Sequence, residues 1–177
     1  MSSESDSTID LIGRWIEDCV LGLSLCPYAR IPWENGEVRI TICEQRKDYL
    51  QHINSQASEL LSSSVETVLI ILQNGLSDFL DFNDFLDDVE QLLVELDLEG
   101  QLQLASFHPG YLFADEAADD ASNYTNRAPV PIVQLLRVES VSKAVDAGNT
   151  LAIPERNMQT LRSFDRKSLQ ALFPWAG

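Results

Sequence analysis

The sequence predicts an α/β protein, a two-layer sandwich in which a mainly parallel four-stranded sheet packs against helices. Apolar segments of strand length alternate along the chain with longer segments whose apolar residues recur at helical spacing. The helices expected between strands one, two and three are the crossover connections that parallel strands need. Right-handed crossovers would place both helices on one face of the sheet. Ferredoxin-like strand pairing is compatible with the same order of elements.

The length of 177 residues is typical of one domain. Residues 1–6 are rich in serine and acidic residues, so they are predicted to be disordered. Residues 7–177 are then expected to form a single α/β domain.

The first helix is predicted from about Thr8 to Leu25, and Pro27 disfavours its continuation. A turn at Asn35 and Gly36 is followed by an alternating apolar and polar segment that predicts strand one. The remaining predicted elements are a helix ending before Ser62, a strand at 65–72, a helix capped by Ser77 and ended by Gly100, strands at 102–107 and 132–138, a helix at 140–147 closed by Gly148, and a helix at 154–162.

The charge balance excludes several classes of partner. The chain has 28 acidic and 12 basic residues, a formal net charge of -16, which opposes binding to nucleic acid or to an anionic membrane surface. The N-terminus has no signal-peptide pattern, and no apolar run approaches the roughly 20 residues of a membrane span. Three cysteines without a CxxC pair suit free thiols, so we expect a cytoplasmic protein.

His108 follows the third predicted strand, where the carboxyl ends of parallel strands would form a ligand crevice. A histidine titrates near neutral pH and can act as a catalytic acid or base. The alternative is a histidine that bonds to the loop backbone, and the sequence does not decide between them. His52 lies off the apolar face of its predicted helix and is expected to be an exposed surface residue.

The segment between Pro109 and Pro131 shows no clear periodicity and carries many hydrogen-bonding side chains. Arg127 could bind a carboxylate or phosphate, with Asn123 and Asn126 orienting it. Asp119 and Asp120 could hold Mg²⁺, although they are a weak metal signal. Equally, Asp and Asn residues could simply order the loop by bonding its backbone.

Cys26 is predicted to be packed rather than catalytic, because the partial negative charge at the end of helix one would raise the pKa of its thiol. A catalytic pair of Cys26 with His108 is the alternative.

Several motifs occur together in one order along almost the whole chain: LCPY at 25–28, DFNDFL at 81–86, ASFHP at 105–109, NYTNR at 123–127 and IPERN at 153–157. In these motifs the chain resembles the bacterial family catalogued as domain of unknown function 1415. The resemblance implies a bacterial cytosolic protein and does not imply a reaction.

Two functions remain open. The first is a small-molecule enzyme that acts on an anionic substrate at the carboxyl edge of the sheet, with His108 as acid or base and Arg127 as anion clamp. The second is a non-catalytic regulatory or protein-interaction module. An enzyme needs its side chains to converge in a concave pocket, whereas an interaction module needs an exposed apolar patch or a sheet edge. A homo-oligomer is compatible with either.

Overall fold

The computed structural model describes residues 2–147 and 153–176, in which a four-stranded sheet carries helices on both faces. The strands are β1 Val38–Cys43, β2 Thr67–Leu72, β3 Leu102–Phe107 and β4 Ile132–Arg137. The α-helices are α1 Ser2–Trp15, α2 Arg30–Glu34, α3 Tyr49–Leu61, α4 Phe79–Glu95, α5 Val138–Ala147, α6 Ile153–Arg162 and α7 Arg166–Leu172. A π-helix spans Ile16–Leu21, and 3-10 helices span Arg46–Asp48 and Ala121–Asn126.

The sheet is mixed rather than mainly parallel. Its strand order is β1-β2-β4-β3, in which β1 and β2 run parallel while β4 is antiparallel to both β2 and β3. This order does not confirm ferredoxin-like pairing. The prediction was wrong because β4 follows β3 through a loop without a crossover helix, so β4 returns in the opposite direction between β2 and β3.

The two-layer prediction was also wrong, because helices cover both faces of the sheet. On the first face, α3 and α4 pack against Val68, Ile70 and Leu72 of β2. On the second face, α1, α6 and α7 pack against Leu69 and Ile71. Since successive side chains of a strand point to opposite faces, the uninterrupted apolar sequence of β2 supplies both cores.

Helix one differs from its prediction at both ends. It begins at Ser2 rather than near Thr8, and Met1 lies outside the described residues. It changes into the π-helix at Ile16 and ends at Leu21, before the predicted end at Leu25. The buried residues Ile12, Trp15 and Cys19 keep this helix against the second face.

Helix α4 is an example of an element that a local signal, its capping residue, located to within one residue. Asp78 caps it, since its carboxylate accepts hydrogen bonds from the N–H groups of Leu80 and Asp81 at 2.9 and 3.2 Å. The predicted cap, Ser77, is the preceding residue.

The predicted closure of the following helix, α5, by Gly148 lies outside the described residues. No helix in the described part of the chain is long and apolar enough to cross a membrane.

Candidate functional site

The carboxyl ends of β1, β2 and β3 lie at one edge of the sheet, because β4 alone runs in the opposite direction. His108 follows β3 at this edge, as predicted, and its main-chain N–H donates to the carbonyl of Asn126, 3.1 Å away. The long loop therefore folds back onto the end of β3.

Both ring nitrogens of His108 are bound to main-chain groups. The N–H of Gly110 donates to Nδ1 at 3.0 Å, so Nδ1 carries no proton and Nε2 donates to the carbonyl of Leu76 at 3.0 Å. The ring is 2% exposed and stacks on Phe82 with 5.1 Å between centroids. Burial lowers the pKa of His108 from its ordinary value of 6.5, against the weaker opposing effects of the Leu76 carbonyl and Asp78. This arrangement favours a neutral histidine that joins two loops.

Arg127 is buried, at 7% exposure, and its guanidinium faces the interior of the loop. Its Nε donates to the carbonyl of Tyr111 and its Nη2 to that of Ala118, each at 3.4 Å. Its Cζ lies 4.3 Å from the centroid of the Tyr124 ring, a cation–π distance. Through these contacts, the guanidinium of Arg127 orders the loop that surrounds it.

The two asparagines also bind main-chain groups. Asn123, fully buried, accepts from the N–H of Phe113 at 2.9 Å and donates to the carbonyl of Ala117 at 2.8 Å. Asn126 donates from its side chain to the carbonyl of Ser106 at 3.1 Å. His108, Asn123, Asn126 and Arg127 therefore lie in one network, in which the contacts to the backbone favour an ordering role.

The two aspartates predicted as metal ligands lie in different surroundings. Asp119 is exposed. Asp120 accepts a 2.8 Å hydrogen bond from the N–H of Ser122 and pairs with Arg162, 3.0 Å away, which also contacts Glu116. The hydrogen bond from the Arg162 guanidinium and, to a lesser extent, that from the Ser122 N–H lower the pKa of Asp120 to about 2. Within residues 2–147 and 153–176, no group of three or more His, Cys, Asp or Glu side chains could hold a metal ion.

The three cysteines are free thiols, and burial raises the pKa of each of them, that of Cys19 to about 12. The N–H groups of Tyr28 and Ala29 partly offset this effect at Cys26. Cys26 follows the end of the π-helix by several residues, so burial and not a helix end raises its pKa. A raised thiol pKa disfavours nucleophilic catalysis.

The outer side of β1 is open. The carbonyls of Glu37 and Cys43 accept hydrogen bonds from the β2 side, so the intervening alternate residues Val38, Ile40 and Ile42 direct their main-chain groups away from β2. Among the hydrogen bonds of the described residues, none reaches these outward groups. The other outer strand, β3, has its carboxyl end covered by the side chain of Asn126.

A cavity adjoins β1 on each face of the sheet. The first, about 330 Å³, is defined here as the acidic groove and is lined by residues that include Cys43, Glu44, Asp48, His52 and Ser55. The second, about 400 Å³, is defined as the Trp33 groove and is lined by residues that include Ile9, Gly13, Trp33 and Ile40. His52, predicted to be an exposed surface residue, is half-buried here, with Nε2 3.1 Å from Thr41 Oγ1.

Sequence reasoning missed Arg162 and the open edge of β1. Arg162 is separated from Asp120 by 42 residues, and no local pattern links them. The edge position of β1 depends on the strand order, although its alternating sequence did indicate that one face is less buried.

No curated protein and no solved structure matches this chain. One family model does match, over residues 7–171, and its description is "Protein of unknown function (DUF1415)". Because this match covers almost the whole chain of 177 residues, including all four strands of the sheet, the chain belongs to that family.

Proposed function

We propose that this protein is a non-catalytic protein-interaction module that binds a partner along the open edge of β1. The observation that carries the proposal is the outer side of β1, where the main-chain groups of Val38, Ile40 and Ile42 lack a partner within the described residues. A strand edge of this kind is a template for another extended chain.

The chemistry of the long loop supports the same conclusion. Both ring nitrogens of His108 and two of the guanidinium nitrogens of Arg127 bind main-chain atoms. Proton transfer by His108 would require one of these bonds to break, and binding of an anion by Arg127 would compete with its carbonyl partners. The contacts of the loop therefore favour a role in stabilising the carboxyl end of β3 over a role in catalysis.

An enzyme is the second candidate, and the presence of a histidine and a thiol in the acidic groove is the observation in its favour. This cavity lies at the carboxyl end of β1 and contains a histidine and a thiol, His52 and Cys43. Its lining includes the carboxylates of Glu44 and Asp48 and no lysine or arginine. Carboxylates repel an anionic substrate, so the groove suits a cationic group better.

We also propose a cytoplasmic location, which the free thiols support.

A site-specific photo-crosslinking experiment in cells tests the module. A benzoylphenylalanine at Gln45, just after β1, should give a crosslinked product, whereas the same group at Gln91 on α4 should not. Ile40→Pro removes an N–H group from the outer side only and should abolish the product. Thermal unfolding of the variant is measured to check that it is folded. Failure to form the product at Gln45, or equal products at both positions, would overturn the proposal.

A further inference from the structure

We infer that the β1 edge accepts an extended segment of a partner protein in which apolar and basic residues alternate. This inference rests on the proposed function and specifies the chemistry of the partner. It follows from the two grooves, which adjoin the same strand on opposite faces of the sheet.

The backbone of β1 sets the position of an added strand. The outward main-chain groups of Ile40 and Ile42 would exchange hydrogen bonds with it, while Arg39 and Thr41 stay paired with β2. Residues directly opposite each other in a sheet share a face. Successive side chains of the added strand would therefore enter the two grooves alternately.

The Trp33 groove fits an apolar side chain. Ile9, Trp33 and Ile40 form the apolar part of its wall, and Ile9 is 37% exposed, while the charged residues Asp10, Arg14 and Glu17 line the rest. Trp33 is held at this place by a hydrogen bond from Nε1 to Glu17, 3.4 Å long. A partner side chain opposite Ile40 would cover this apolar surface.

The acidic groove fits a basic side chain. The carboxylates of Glu44 and Asp48 line it, and its other polar groups include His52 and Ser55. A lysine or arginine on the face of Thr41 would approach both carboxylates. The net charge of -16 over the whole chain adds a longer-range attraction for such a segment.

A second copy of the chain is a poorer occupant of the edge. Each copy carries the same net charge of -16, so the approach of two edges is opposed, most strongly at low ionic strength. If two copies paired through this edge, β1 of one copy would lie beside β1 of the other. On the face of Thr41, the single basic side chain that β1 offers is Arg39, which already forms an ion pair with Glu59 at 2.9 Å.

The test uses three synthetic peptides of six residues, the length of β1. The first alternates lysine and valine, the second alternates serine and valine, and the third is the lysine–valine peptide with N-methyl groups on alternate backbone nitrogens. Each is added to ¹⁵N-labelled full-length protein, and amide hydrogen exchange is measured. The lysine–valine peptide should slow exchange at Ile40 and Ile42 by on the order of tenfold, with little change at Arg39 and Thr41.

Two double variants distinguish attraction of the peptide by the acidic groove from attraction by the overall negative charge of the protein. Glu44→Lys with Asp48→Lys should weaken binding of the lysine–valine peptide by roughly tenfold. Asp84→Lys with Asp88→Lys changes the net charge equally on exposed positions of α4 and should weaken it much less. Binding of the lysine–valine peptide should also fall as salt rises.

The outcomes distinguish the inference from the proposed function. If the serine–valine peptide protects Ile40 and Ile42 as well as the lysine–valine peptide does, the basic specificity is overturned and the edge remains a docking site. If no peptide protects these amides, the proposed function of the edge is overturned as well. Equal binding of the N-methylated peptide, or equal effects of the two charge variants, would show nonspecific attraction and overturn the inference. Protection that rises with protein concentration alone would identify a homodimer instead.

Discussion

The imidazole of His108 joins the segment after β3 to Leu76, which follows β2, through a hydrogen bond of 3.0 Å from Nε2 to the Leu76 carbonyl. Leu76 has a positive φ of 56°, a conformation that is costly for a residue with a branched side chain. The buried histidine helps to hold this turn, which directly precedes the capping residue of α4, Asp78.

We expect His108→Ala to lower the free energy of unfolding by about 3 kcal/mol, because it leaves the Gly110 N–H and the Leu76 carbonyl without their partner and removes the stacking on Phe82. Urea denaturation measures this loss. His52→Ala is the matched control, since His52 is half-buried and bonds to one hydroxyl. An equal, small loss in both variants would contradict a structural role for His108.

The pH dependence of stability provides a separate prediction. Burial lowers the pKa of His108 in the folded state, so the unfolded state takes up a proton first as the pH falls below 6.5. The stability contributed by neutral His108 is complete above this pH and is lost as the pH falls from 6.5 to the folded pKa. Urea denaturation at pH values across this interval should show a larger loss in the parent protein than in His108→Gln. The same loss in both would exclude His108 as its source.

The sequence predicted the four strands and most helices correctly because local patterns specify them. The alternation in β1, the apolar run of β2 and the capping signals before α4 are local. The direction of β4 is not local, because its apolar residues suit a central strand of either direction. The sequence also indicated the second layer of helices. The apolar run of β2 predicts a strand that is buried on both faces, and such a strand needs a covering layer on each face.

The position of His108 was predicted from the sequence, whereas the contacts of the loop residues and the open edge of β1 were not. The residue after β3 lies at the expected edge, and the loop residues Asn123 and Arg127 contact the same loop. A sequence does not show whether an arginine binds a ligand or main-chain carbonyls. Every residue has a main-chain carbonyl, so nothing in the sequence marks Tyr111 and Ala118 as the acceptors of Arg127. The buried partners of Arg127 depend on the folded path of the loop.

Arg127→Ala should lower the free energy of unfolding by about 2 kcal/mol or more. The change removes two charge-assisted hydrogen bonds to carbonyls and the contact with the Tyr124 ring from a residue that is 7% exposed. Arg166→Ala, at an exposed position of α7, is the control and should change stability little. A near-normal melting temperature for Arg127→Ala would mean that the guanidinium is free to bind a ligand, and would favour the enzyme.

The ion pair between Arg162 and Asp120 gives the last prediction. Because Arg162 is the largest cause of the lowered pKa of Asp120, which is about 2, Arg162→Gln should raise this pKa part of the way towards its ordinary value of 3.8. In the parent protein the folded pKa is lower than the unfolded one, so this pair stabilises the fold above pH 3.8 and stops doing so as the pH falls through 2. An NMR titration of the Asp120 carboxyl measures the change directly. Arg156→Gln, on the same helix but bonded to Ser24, should leave the Asp120 titration unchanged. If Arg162→Gln also leaves it unchanged, the N–H of Ser122 alone sets the pKa, and α6 does not hold the loop through this carboxylate.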